Sequence, residues 1–326
     1  MSVTIGNDNR FARVTPTPAE TPASSLKANI RDTGDVLEAY LGKDPFFTYN
    51  YKNAAKPYLY PVYGPDSQLM VRNFPMKDLK DEEHDHPHQK AFWFTHGAVN
   101  GVDYWTEGEQ KGRIVHQNFS KIKCSGNTGI IASHNYWIKP DRKTVQLKDE
   151  RAIRFFGTEQ KRYLDLYVRL TAIAADAVLG DTKEGTFGIR LAETMRVKGG
   201  LNKGHIINAD GLKDNETWGK RSFWVDYYGP VNDQIMGLAI FDHPQNPRYP
   251  TWWHVRDYGL FAANPFGIHD FEPKTATGEK TPVDAGKLVL KQDESLVFQY
   301  RVILHKGNHE EGAIAEEYKK YLNSNS

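Results

Sequence analysis

From residue 41 to about residue 306 the chain alternates apolar and polar positions in short runs. In YLDLYVRLTA (163 to 172), Leu164, Leu166, Val168 and Leu170 share one face, while Tyr163, Asp165, Tyr167 and Arg169 share the other. This is the period of a half-buried strand. SLVFQYRVILH (295 to 305) repeats it with Leu296, Phe298, Tyr300, Val302 and Leu304, and TFGIRLAE (186 to 193) follows the same pattern. Gly126-Asn127, Pro140-Asp141, Asp210-Gly211 and Gly229-Pro230 are turn signals between such runs. Only HEEGAIAEEYKKYLN has helical spacing, with Ile314, Tyr318, Tyr321 and Leu322 on one face, acids early and lysines late. Many strands without alternating helices predict an all-β protein, a large antiparallel β-sandwich with a short C-terminal helix.

The predicted organisation has three parts. Residues 1–40 form an N-terminal arm, partly flexible, because VTPTPAETPASS (14 to 25) is a Pro/Thr/Ser/Ala tether. Residues 41–308 form the sandwich, and residues 309–326 the helix packed on it. A chain of 326 residues with 39% hydrophobic content is large enough to bury a full core. The 42 basic and 41 acidic residues nearly cancel, so the charge footprint of a nucleic-acid binder is missing. No apolar run reaches the roughly 18 to 20 residues of a membrane span. The expected location is cytoplasmic as the sequence stands, and periplasmic or exported if a signal peptide has been removed. The lone Cys124 excludes an internal disulfide and reads as a small inert hydrophobe. No segment dictates an oligomeric state.

Candidate chemistry concentrates in HDHPHQKAFWFTHGAVNGVDYW (84 to 105), which holds four of the twelve histidines. On an extended backbone His84, His86 and His88 would point the same way, and His96 follows further along. Neutral imidazole is both the commonest metal ligand and the side chain that titrates nearest neutral pH. A metal site and an acid/base site are therefore both expected possibilities. His116, on a strand-like run nearby, is a candidate to complete a metal site.

A second cluster, FDHPQNPRYPTWWHVRDYGLFAANPFGIHDF (241 to 271), carries His243, His254 and His269 with Arg256, Asp257 and Asn264. Trp252 and Trp253 offer flat faces on which sugar rings stack, against the alternative that they are core residues. A weaker third stretch, ETWGKRSFWVDYYG (216 to 229), places Lys220, Arg221 and Asp226 among aromatics.

At these segments the chain resembles the bacterial PmoA-like proteins, a family often labelled "methane oxygenase PmoA". The resemblance rests on PYLYPVYGPD (57 to 66), DHPHQKAFWFTHGAVNGVDYW (85 to 105), EGTFGIRLAE (184 to 193), WGKRSFWVDYYG and DHPQNPRYPTWWHVRDYGLFAANPFG (242 to 267). Where the family usually has DHPHHR, this chain has Gln89 and Lys90. The resemblance implies a galactose-mutarotase-type β-supersandwich, a fold in which a concave sheet face holds histidines and carboxylates over a sugar ring.

The leading expectation is a carbohydrate-active enzyme performing hydrolysis, β-elimination or epimerisation on a sugar or glycoside. His86, His88, His96 and His254 are the candidate acids and bases, with Asp103, Glu193 and Asp257 as carboxylate partners. Trp105, Arg190, Trp252, Trp253, Arg256, Asn264 and Lys220 are the candidate substrate-binding residues. A divalent metal ion held by His86, His88 and His96 is a compatible variant. A non-catalytic carbohydrate-binding protein is the first alternative, and a copper or iron oxidoreductase the second.

Overall fold

A computed structural model describes residues 25–323. They form two eight-stranded antiparallel sheets and a two-stranded ribbon. The strands in chain order are β1 (Ala28–Asp32), β2 (Val36–Leu41), β3 (Asp44–Asn50), β4 (Tyr58–Val62), β5 (Phe92–His96), β6 (Arg113–Ser125), β7 (Thr128–Ile138), β8 (Val145–Gly157) and β9 (Lys161–Ala172). They continue with β10 (Ala177–Leu179), β11 (Gly185–Arg190), β12 (His205–Asn208), β13 (Trp224–Val231), β14 (Gln234–Asp242), β15 (Trp252–Val255), β16 (Leu260–Asn264), β17 (Leu288–Leu290) and β18 (Ser295–Lys306). The first sheet runs β1-β2-β3-β4-β5-β11-β16-β15, and the second β12-β13-β14-β18-β9-β8-β7-β6.

The alternation of β9 and β18 places their apolar faces between the sheets. Leu164, Leu166, Val168 and Leu170, with Phe298, Tyr300, Val302 and Leu304, join Phe92, Phe94, Phe187, Ile189 and Phe261 in one core. Aromatic pairs span the two layers, Phe94 with Phe298 and Phe187 with Tyr300, each with ring centroids 5.3 Å apart. Each fully buried side chain of this size contributes about 1.5 to 3 kcal/mol.

The opposite face of β9 is covered as well. Helix α1 (Ile314–Asn323) packs Ile314, Tyr318 and Tyr321 against Phe156, Tyr163, Phe241 and Ile303. Asp165 beneath it takes bonds of 2.6 and 2.9 Å from Arg301, whose guanidinium lies 4.6 Å from the Tyr321 ring centroid.

Two boundaries differ from the sequence reading. Residues 28–40, assigned to the arm, hold β1 and all of β2 but its last residue; residues 1–24, with most of the Pro/Thr-rich stretch, lie outside the described residues. Gly229-Pro230 is not a turn but lies inside β13. The proline is tolerated because β12 pairs only with residues 225 to 228, which leaves that stretch unpaired on one side. Gly229 is needed there, since a Cβ would sit 2.9 Å from the Met195 Cα.

Candidate active site

Strands β5, β11, β16 and β15 direct one set of side chains into the core and the alternate set to the outer face of the first sheet. The outer set includes Trp93, Gly188, Arg190, Leu260, Ala262 and His254, as their cross-strand pairing shows. Trp93, Trp105, Leu260 and Ala262 make an apolar floor, flanked by Tyr58 and Tyr258. Gly188 makes room for the indoles, which meet edge to face at 5.1 Å, because a Cβ would come within 2.5 Å of Trp93 Cζ2. Trp93 Nε1, Trp105 Nε1 and Arg190 Nε are buried in this region without a hydrogen-bond partner.

The histidine-rich segment rises over this floor, but not as an extended strand. His86 has φ +44°, and the Gln89 amide donates to the His86 carbonyl at 3.0 Å, so His86-Pro87-His88-Gln89 is a tight turn. His84 is therefore turned away from its neighbours and stacks on Phe74 at 4.5 Å. His86 and His88 stay together, with ring centroids 5.7 Å apart, and His86 lies flat against Tyr258 at 5.4 Å and 5°.

Asp85 anchors this turn. Its carboxylate accepts from the fully buried guanidiniums of Arg72 and Arg190 and lies 2.7 Å from His86 Nδ1. Burial acts to raise its pKa, but the His86 hydrogen bond and the two arginine charges outweigh it and hold the carboxyl well below the usual range. An ionised Asp85 fixes the proton of His86 on Nδ1 and leaves Nε2 as the free nitrogen. Arg190 also donates to Gln89 Oε1 at 2.6 Å and lies 4.7 Å from the Tyr258 ring centroid.

Glu184 is the opposite case. It sits just before β11, with Gly97 opposite, whose amide donates to the Glu184 carbonyl at 2.7 Å. Burial raises its carboxyl above the ordinary value; Lys183 and His86 offset part of this, and Asp103 and Asp270 add to it. The neighbouring Tyr258 phenol is also pushed up, chiefly by burial. Two carboxyls of this face are thus shifted in opposite directions, Asp85 down and Glu184 up.

Three imidazoles are held neutral. Burial lowers His88, His96 and His254 to about 4 each, with the Lys56 charge adding at His88. His254 Nδ1 is 2.8 Å from the Lys183 carbonyl, which can only accept, so Nδ1 bears the proton and Nε2 the lone pair. His96 belongs elsewhere. It packs against Phe266 at 4.7 Å, and its Nε2 donates to the Gly180 carbonyl at 2.9 Å.

Several expected site residues have structural duties instead. Trp253 is core, its indole N–H bonded to the Ser222 carbonyl at 2.9 Å. Trp252 is buried, donates to Glu272 at 2.7 Å and is covered by Arg221 at 4.6 Å, so neither tryptophan offers a free stacking face. Asn264 uses both ends of its amide, on the Thr182 carbonyl and the Phe266 amide. Asp103 caps its loop through Trp105, Thr106 and Lys111. Glu193 is paired with Arg196. Asp257 contributes its carbonyl, which accepts from Lys198 N and Tyr227 Oη. Lys220 is exposed, and His116 packs against Tyr51 and Phe119.

The metal set is not assembled. Among the described residues no group of three or more His, Cys, Asp or Glu side chains is placed to hold an ion. His96, turned to Gly180 and Phe266, does not join His86 and His88. No helix among these residues is long and apolar enough to cross a membrane.

Residues 37–319 match DUF6807, a family of unknown function. The chain belongs to DUF6807. No curated protein matches it. Among solved structures, this DUF6807 chain is similar to the alpha-galactosidase from Lactobacillus brevis at 9% identity, over 90% of this chain and 42% of that one, with a TM-score of 0.42. It is similar to a galactose mutarotase-like protein from Clostridium acetobutylicum at 9% identity, over 87% and 99% of the two chains, with a TM-score of 0.41. A heparan sulfate lyase mutant from Pedobacter heparinus matches at 10% identity over 88% and 36%, with a TM-score of 0.37. The DUF6807 chain spans less than half of the galactosidase and of the lyase.

Three residues of the candidate site escaped the sequence reading: Asp85, Glu184 and Tyr258. Asp85 had a local signal, a carboxylate between the histidines of HDHPH. Glu184 and Tyr258 had none, because they meet His86 only through the pairing of β11 with β5 and β16.

Proposed function

We propose that the outer face of the first sheet is the active site of a carbohydrate-active enzyme working by histidine/carboxylate acid-base chemistry. The observation that carries this is the Asp85–His86 contact, an ionised carboxylate 2.7 Å from Nδ1, on the same face as Glu184, whose carboxyl burial raises above its ordinary value. Glu184 acts as the general acid, delivering its proton to a departing sugar oxygen. His86 Nε2, oriented by Asp85, acts as the general base towards water or a sugar C–H. The half-buried Tyr258 supplies apolar surface for a ring, backed from beneath by the buried Trp93 and Trp105 indoles, and the neutral His88 and His254 supply hydrogen bonds to hydroxyls. It is the residues of this face, not the activities of the similar structures, that support the reading. Hydrolysis, β-elimination and epimerisation all use such a pair.

The test is a screen of aryl glycosides and free sugars for all three products, with wild type and a Glu184→Gln variant. Turnover lost by about 10²-fold or more in a folded variant is expected for a general acid. Equal turnover by both proteins, or none by wild type on any sugar, would contradict the proposal.

A further inference from the structure

The cations around this face are unequally neutralised. Asp85 is shared by Arg72 and Arg190, and Glu107 by Lys56 and Lys90, each carboxylate serving two positive groups. Lys111 has Asp103. Arg256 and Lys183 stand apart: among the described residues neither side chain has a carboxylate within ion-pair distance, and both are half-buried beside His254, whose charge state they influence. The nearby Asp270 accepts the Lys183 backbone amide at 3.0 Å. Glu184, Asp257 and Asp270 are the other carboxyls of this region, and none of them is within ion-pair distance of the Arg256 guanidinium or the Lys183 ammonium among the described residues.

The Arg256 guanidinium is also held in place. It lies 5.8 Å from the Trp218 ring centroid and 5.5 Å from that of Tyr258, and Trp218 packs edge-on against His254 at 6.3 Å. The Trp218 indole N–H is buried without a partner. A guanidinium clamped between two rings keeps its donor fork free and pre-organised, the arrangement suited to bidentate recognition of a planar carboxylate.

We infer that Arg256, Lys183 and Trp218 form a subsite for the carboxylate of an acidic sugar, so that the ligand is a uronic-acid-type ring rather than a neutral hexose. This rests on the reading of the face as a sugar site. The carboxylate takes the two cations, the ring lies towards the Trp93/Trp105 floor, and Glu184 and His86 flank it.

The experiment is calorimetric titration of the wild-type protein and of Arg256→Gln and Lys183→Gln variants. The probes are glucuronate, galacturonate, their methyl glycosides, the matching neutral sugars, and sodium sulfate as an anion without a ring. At least one acidic sugar should bind wild type about tenfold or more tightly than its neutral counterpart, which is the worth of one charge-assisted hydrogen bond. Arg256→Gln, folded by its melting curve, should erase that preference, losing acidic-sugar affinity by about tenfold or more relative to the neutral sugar. Equal binding of acidic and neutral sugars, equal losses for both in Arg256→Gln, no binding of any acidic sugar, or sulfate binding as tightly as the uronates would each overturn the inference. Its failure is distinguishable from failure of the enzymatic reading. Turnover of neutral glycosides that depends on Glu184 would sink the subsite and keep the enzyme, whereas Arg256-dependent uronate binding without turnover would do the reverse.

Discussion

His86 Nδ1 lies 2.7 Å from a carboxylate oxygen of Asp85, and the same carboxylate is bound by two fully buried arginines, Arg72 and Arg190. The contact ties the most solvent-accessible histidine of the site to its most rigid charge network. His86 is consequently aimed rather than loose, although it is exposed and sits at a positive φ.

Replacing Asp85 with asparagine should cost about 1 to 3 kcal/mol, less than breaking a wholly buried pair because its side chain keeps 30% exposure. The sign of the pH dependence follows from the depressed folded pKa. The stabilisation by Asp85 is present above its unfolded value of about 4 and disappears as pH falls below it. Melting curves of both proteins from pH 7 to pH 3 should run parallel down to about pH 4 and begin to approach one another only below it, without meeting by pH 3.

The neutral histidines act over a higher window. His88, His96 and His254 are lowered to about 4 in the folded protein, against about 6.5 unfolded. Their contribution is complete above about pH 6.5 and is lost as pH falls from there towards 4, because the unfolded chain takes up protons first. Urea midpoints at pH 7, 5.5 and 4 should drop steadily, with a shallower drop in a His254→Gln variant.

Gly188→Ala should destabilise by about 1 to 3 kcal/mol through overpacking. The added methyl meets Trp93 Cζ2 at 2.5 Å and Trp105 Cη2 at 3.1 Å. The indole floor must shift, and near-ultraviolet circular dichroism, which reports tryptophan packing, should change along with the melting temperature.

How legible these features were differs from element to element. β9 and β18 were readable because each buries one face in the core, so the period of two is written in leucines, valines and aromatics. β1 was not, since it is an edge strand with only Ala28 fully buried and no apolar alternation to detect. The place of the site was visible in HDHPH, but its geometry was not. An extended backbone would have aligned His84 with His86 and His88, whereas the turn at Pro87 and the positive φ of His86 separate them. Trp252 and Trp253 looked like sugar platforms because two adjacent tryptophans on a strand place one side chain on each face. In this fold the core buries one, and Arg221 with Glu272 covers the other.

Truncating the C-terminal helix contact by Tyr321→Ala should cost about 3 to 5 kcal/mol. The ring is almost wholly buried and covers the Arg301–Asp165 pair. Denaturant titration of wild type and variant would show the loss as a lower midpoint.

The most direct measurement is kcat/KM against pH for wild type and Glu184→Gln on a sugar substrate identified by the glycoside screen. Glu184 acting as general acid, with its carboxyl raised by burial, predicts a wild-type rate that falls on the alkaline side, with a midpoint above the ordinary glutamate value of about 4.3. The residual activity of the variant should lack that limb. Profiles of the same shape and height in both proteins would contradict the assignment of Glu184 as the acid of this site.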